Sequence, residues 1–357
     1  FFAYTSILEA VLKLLIIYLL LVVSYDKLIL YALLMLTVQV FVRFLYTVYC
    51  KRHFEECNSG RTYDKAVTKD ILSFAGWSFL GNFGITCRDQ VTNILFNVFF
   101  QTPVVNAARG IATQVSGIIS TFATNITMAI NPQITKNYSS GNINESVSLV
   151  YMGCRASFYM LTLIVVPFVV NVDYVLELWL ERVPENTSLF LYFILGVALI
   201  YSLSQPITVA IQATGDIKAF QIWIFSLMVL EVCLTYLVLW ITGSLVYALV
   251  PSVVVNFIST AVRMALVKKK VGAYSFRQYA FDVVFRCVMV LLISCVVAIY
   301  IHYMIGYESF VAFLGECVVL AVSTIVIILL FGLKRDERLQ LVSKLTMSVK
   351  RLNGRRV

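Results

Sequence analysis

Charge is scarce along this chain: Asp, Glu, Lys and Arg make up 13% of 357 residues, where a soluble globular chain carries about a quarter. A soluble domain is thereby excluded. Histidine is scarcer still, with His53 and His302 alone, and no G-x-S-x-G, H-E-x-x-H or P-loop string occurs, so the sequence offers no nucleophilic, metallohydrolase or nucleotide-binding machinery. We expect no enzyme activity and no cofactor. Cys50, His53 and Cys57 lie near one another, but a closed zinc site needs a fourth ligand and His302 is remote; no metal site is expected. The eight cysteines fall mostly in apolar runs, where they act as small hydrophobes rather than as a disulfide framework. No charged n-region or small-residue cleavage site precedes the first apolar run, and residue 1 is Phe, which reads as a fragment lacking its native N-terminus.

What the chain has in abundance is apolar sequence: 60% hydrophobic residues and a mean hydropathy of +0.88. Runs of roughly 20 such residues are membrane-span candidates. Ten are predicted, near 4–23, 28–50, 71–99, 105–133, 147–170, 188–212, 217–241, 246–267, 283–303 and 309–332. The fold class expected is all-α, a polytopic transmembrane helix bundle. The third and fourth spans carry internal Gly81, Asn82, Gly84, Asn131 and Pro132, which suits bent helices facing protein or a cavity.

Lys and Arg in short loops set the orientation of such a bundle. One alternating set of segments holds Lys51, Arg52, Arg61, Lys65 and Lys69, then Lys136, Lys218, Lys268 to Lys270 and Arg277, then eight residues between Lys334 and Arg356; the other holds only Lys27 and Arg182. The first set is therefore predicted cytoplasmic, with both chain ends on that side. The largest outward segment, 171–187, is acidic and too short for a catalytic domain. The basic tail beyond 333 is read as a topology determinant with affinity for anionic lipid, and no nucleic-acid partner is expected.

Ionisable side chains at membrane depth are costly and mark functional candidates. Arg155, Arg263 and Arg286 lie near the basic ends, where snorkelling would serve them. Arg88 and Arg109 lie well inside the third and fourth spans, among Asn82, Asp89, Gln90, Asn93, Asn97, Asn106 and Gln114. Asn82, Asp89, Asn93 and Asn97 recur at spacings of seven, four and four, so they share one helical stripe. Interhelical hydrogen-bond glue among Gly110, Ala112, Ser116 and Gly117 is the plainer reading, yet glue does not need two arginines. A hydrated cavity lined by Arg88, Arg109, Asn93, Asn97 and Gln114 suits a phosphate or carboxylate, because arginine stays charged and offers paired donors. Asp89, Glu9 and Glu231 are the candidates for ion coupling. Asp89 points about 100° around the helix from Arg88, Glu9 forms an i,i+4 couple with Lys13, and Glu231 and Glu316 read as lone acids in mid-span.

Four strings, "SFAGWSFLGNFG" at 73–84, "NILFNVFF" at 93–100, "VNAARGIATQVSG" at 105–117 and "NPQITKNYSSG" at 131–141, followed by "LELWL" at 176–180 and "QATGDIK" at 212–218, resemble the Wzx-type polysaccharide and O-antigen flippases of the multidrug/oligosaccharidyl-lipid/polysaccharide exporter superfamily. The resemblance covers roughly residues 1–335. It implies a fourteen-helix, two-lobe transporter in a bacterial inner membrane, of which this chain would supply about the last ten helices: two of the N-lobe (1–50), a basic loop (51–70), a six-helix C-lobe (71–267), a terminal pair with its preceding loop (268–332) and the basic tail (333–357). It further implies translocation of undecaprenyl-diphosphate-linked oligosaccharide to the periplasmic leaflet by alternating access, coupled to a proton or sodium ion and working beside polysaccharide polymerase machinery. The alternatives are a drug or metabolite antiporter of the same superfamily and an integral-membrane glycan polymerase or ligase.

Overall fold

The computed structural model describes residues 1–22, 26–57, 64–305, 310–334 and 337–338. Arg61 and nearly all of the basic tail lie outside them. Every regular element among the described residues is helical, and the chain divides into two compact units, Phe1–Asp70 and Ile71–Val357. The protein is a polytopic helical membrane bundle.

In the first unit α1 (Phe2–Val22) packs on α2 (Lys27–His53). Ile16, Val38 and Val42 form the small seam between them, while Leu14, Ile17, Leu33 and Leu36 stay exposed, which in a bilayer means lipid contact rather than a solvation penalty. Asp26 caps α2 by accepting from Leu28 N at 3.0 Å. Lys51, Arg52 and His53 occupy its last turn, where the helix dipole favours cations. Glu9 accepts from Lys13 at 2.6 Å and from Gln39 of α2 at 3.0 Å. The first span is thus self-neutralised and tied to its neighbour.

The second unit begins within α3 (Lys65–Phe100) and continues through α4 (Pro103–Ser139), α5 (Ile143–Val170), the short α6 (Val172–Trp179), α7 (Thr187–Ser202), α8 (Gln205–Ala213), α9 (Lys218–Thr242), α10 (Leu245–Lys270), α11 (Phe276–Tyr279), α12 (Arg286–Ile305) and α13 (Phe310–Ile327). A π-helical stretch, Ala280–Phe285, joins α11 to α12, and another, Ile328–Gly332, follows α13. Seven helical stretches are long and apolar enough to cross a membrane by length and composition. At 36 and 37 residues, α3 and α4 would each span about 54 Å, but their polar faces keep them out of that set.

The run 188–212, read from sequence as one span, is one of these seven stretches (Thr187–Ala213), with its helix interrupted at Leu203 and Ser204 between α7 and α8. Pro206 lacks the N–H that a continuous helix would direct back to Ser202, and its ring crowds that carbonyl. The Leu203 carbonyl accepts from Tyr279 Oη at 2.9 Å instead. At the far end of α8, Asp216 receives Lys270 Nζ at 2.6 Å, and the ammonium holds its carboxyl below the usual carboxylate range.

The core of this unit gathers α4, α5, α7, α8 and α10 around Phe190, Leu191, Leu195, Ile207, Ile211 and Met264. Ala108 and Ala112 are fully buried on α4, allowing the close helix approach that membrane packing favours. Of the three arginines expected to snorkel, Arg155 and Arg263 are buried within the protein and Arg286 is half-buried. Arg155 is 3% exposed, donates to the Asp282 carbonyl at 3.2 Å and pairs with Glu337. Arg263 is 6% exposed and donates to Ser204 Oγ at 3.1 Å. Arg286 reaches the Leu333 carbonyl at 3.4 Å. Protein acceptors thus serve as partners for these guanidinium groups. Glu316 is not lone either: His302 Nδ1 lies 2.8 Å from its Oε1, linking α12 to α13.

Candidate functional site

A two-residue turn decides which polar groups of α3 and α4 meet. Gln101 takes φ 50°, Thr102 Oγ1 accepts from Val104 N at 3.2 Å and Pro103 starts α4, where its fixed φ suits the first helical turn. Residues equally far from the turn then face each other. Asn93 lies as far before Gln101 as Arg109 lies after it, and Arg109 Nη1 donates to Asn93 Oδ1 and to the Asp89 carbonyl at 3.2 Å. Asn106 donates to the Asn93 carbonyl at 3.2 Å.

Arg88 joins the cluster along its own helix. Its Nε and Nη2 both donate to Asp89 Oδ1, at 3.2 and 3.0 Å, so the flexible arginine stem overcomes the angular separation expected of adjacent residues. Asp89 also lies 3.6 Å from Arg109 Nη2, and Arg88 Nη1 lies 3.6 Å from Glu231 Oε2 on α9. That last distance is an ion pair rather than a hydrogen bond. Two guanidinium groups therefore meet two carboxylates, and Glu231 is not the lone acid it seemed in sequence.

The cluster lines a cavity of about 750 Å³ bounded by α3, α4, α7, α9 and α10. Asn93, Gln90 and Gln114 contribute amides, Thr113, Thr235 and Ser252 hydroxyls, and Phe96, Phe190 and Leu249 the apolar wall. Asn97 lines neither this cavity nor its neighbours and is exposed. Each four-residue step advances about 40° beyond a full turn, so the stripe drifts off the cavity face, and Phe96, seven residues from Asp89, takes the place. Glu9 belongs to the other compact unit. Of the small residues on α4, Ala112 and Ser116 pack inward, whereas a Cβ at Gly110 or Gly117 would meet nothing within 4 Å; Gly110 instead widens the cavity.

Two further spaces adjoin this one through Arg88. A second polar cavity of about 460 Å³ is lined by Asn82, Gln212, Gln221, Asn256, Ser259 and Arg263. A small groove of about 160 Å³ between α3 and α9 is apolar, formed by Gly84, Val91, Phe225, Met228, Val229 and Val232. The α10 contribution went unnoticed in sequence, although Ser252, Asn256, Ser259 and Arg263 recur at spacings of four, three and four, which puts a polar stripe on one face of an apolar helix.

A many-helix membrane bundle with a polar cavity lined by two arginines and two carboxylates defines a class, the multi-pass membrane proteins. Residues 66–237, just under half of the chain, match the MatE family model, whose members are transporters. No curated protein and no solved structure matches the chain.

Proposed function

We propose that the protein is a flippase for undecaprenyl-diphosphate-linked oligosaccharide in a bacterial inner membrane, supplying surface-polysaccharide synthesis and the polymerase machinery that extends the glycan. One observation carries the reading: Arg88 lines the polar cavity and the apolar α3–α9 groove at once. An amphiphile with an anionic head and a hydrocarbon tail needs that junction, with the diphosphate at Arg88 and Arg109, the sugar among the amides of α3 and α4, and the polyprenyl chain leaving through the groove into lipid. The MatE match and the bias of Lys and Arg toward one set of loops, which favours two cytoplasmic ends, support it.

Binding requires an exchange of partners. The substrate phosphates displace Asp89 and Glu231 from the guanidinium groups, and two monovalent cations, a proton or sodium ion at each carboxylate, neutralise the released charges. Coupling then follows from charge balance: the cavity holds either its own carboxylates on the arginines, or substrate plus coupling ions. A lobe that exposes the cavity to alternate leaflets in these two conditions moves the headgroup from one leaflet to the other.

Asp89 and Glu231 also favour a second reading, an antiporter in which those carboxylates take a cationic drug or metabolite. Leaflet-resolved assay of lipid-linked repeat units in cells carrying Arg88→Ala with Arg109→Ala separates the two. We expect accumulation on the cytoplasmic side and loss of surface glycan by at least about tenfold, since each charged hydrogen bond contributes about 1.5–3 kcal/mol. Undiminished delivery would overturn the flippase. Val229→Trp, filling the groove, should block lipid-linked transport while sparing a soluble cation.

A further inference from the structure

Arg263 is the buried cation that the first cavity does not use. Arg88, Arg109 and Arg155 each have a carboxylate within 4 Å; Arg263 has none among the described residues. Its guanidinium stands between two rings, 5.3 Å from the Tyr201 centroid and 6.0 Å from that of Phe220. Its one hydrogen bond among the described residues runs from Nη1 to Ser204 Oγ at 3.1 Å, and its buried Nε has no partner. More than nine-tenths of the side chain is withdrawn from the surface. A guanidinium so placed pays for desolvation without a counter-charge, and five donors are served by one acceptor and two aromatic faces.

The missing acceptors have room to arrive from outside the protein. Arg263 lines the second cavity beside Gln212 and Gln221, whose amides supply neutral donors. The rings hold the guanidinium plane from the sides, and the π-faces that stabilise it cannot satisfy its N–H groups in their plane. Arg88 and Glu231 line both polar cavities, while Arg109 lines only the first and Arg263 only the second, so three guanidinium groups are distributed over two adjoining polar spaces.

We infer that the second cavity is an oxyanion site in its own right, in which Arg263, Gln212 and Gln221 take a phosphate or diphosphate group before or after it occupies Arg88 and Arg109. The identity of the ligand as a phosphate rests on the flippase reading; the existence of an anion site at Arg263 rests on its own unpaired charge. The headgroup then has two stations, one at Arg88 and Arg109 and one at Arg263, Gln212 and Gln221.

Purified protein titrated with inorganic pyrophosphate tests this, with Arg263→Gln, which keeps a donor for Ser204 while removing the charge, compared against Arg88→Gln with Arg109→Gln. We expect two binding components in the parent protein. Arg263→Gln weakens one by about ten- to a hundredfold, the equivalent of a charged hydrogen bond, and the double variant weakens the other alone. A folded Arg263→Gln protein that binds pyrophosphate like the parent overturns the inference, as does a double variant that loses all binding. If Arg263→Gln fails to fold, Gln212→Ala replaces it, and parental binding in that variant counts equally against the site. An unaltered double variant would sink the flippase reading and leave the Arg263 component standing. Repeating the titration in nanodiscs with polyprenyl diphosphate identifies the source: tighter binding than pyrophosphate points to a membrane lipid, equal binding to a soluble phosphate, and both uphold the site.

Discussion

Arginine at depth in this molecule is held by specific groups, and what holds it differs at each position. Arg109 is fixed by an amide and a backbone carbonyl, Arg88 by the carboxylate next to it in sequence, Arg155 by Glu337 across the fold, and Arg263 by a hydroxyl and two rings. Arg88 and Arg109 stood out in the sequence as arginines well inside apolar runs, whereas Arg155 and Arg263 were expected to snorkel; the partners of none were legible, because a guanidinium on a long stem can reach a neighbour about 100° away around its own helix. Glycine makes the opposite contribution. A Cβ at Gly84 would lie 2.8 Å from the Phe225 ring and 3.1 Å from Met228 Sδ, so Gly84→Ala must push α3 and α9 apart or displace the ring. We expect a loss of about 1–3 kcal/mol, the usual cost of overpacking, seen as a lower thermal unfolding midpoint in detergent. An unchanged midpoint would mean that the two helices do not touch there.

Among elements, the α7–α8 break has the widest consequences. Pro206 announces a disturbance in sequence, but not that Ser204 would become a junction. Its Oγ receives Arg263 Nη1 at 3.1 Å and Thr260 at 3.3 Å, and itself donates to the Tyr201 carbonyl at 3.1 Å. Ser204→Ala therefore removes the acceptor of a buried cation. Unfolding should become easier by about 1–3 kcal/mol, the penalty for stranding a buried donor, and full retention of stability in a thermal melt would show that Arg263 finds another acceptor. The α3–α4 hairpin was the more readable element: once Gln101-Thr102-Pro103 is recognised as a tight turn, the meeting of Asn93 with Arg109 follows by counting. Asn97 was misplaced because a stripe drawn at spacings of seven and four drifts around a 3.6-residue helix.

For the whole molecule, the distribution of Lys and Arg makes a prediction independent of any cavity. A cysteine introduced at Glu185, in a background without the native cysteines, should react with an impermeant maleimide added to intact cells, and one at Lys269 only after permeabilisation. The reverse pattern would invert the orientation and with it the direction of transport. Membrane-spanning helical character, the approximate boundaries of the helices and the presence of charge within α3 and α4 were determined by the sequence alone, because burial in lipid imposes length and composition on each segment separately. The tertiary structure alone decided that Glu231 joins Arg88, that Arg263 has no carboxylate within 4 Å among the described residues and that a polar and an apolar space meet at one arginine. Those outcomes depend on side chains far apart in the chain, and no periodicity within a single helix encodes which face its neighbours will present.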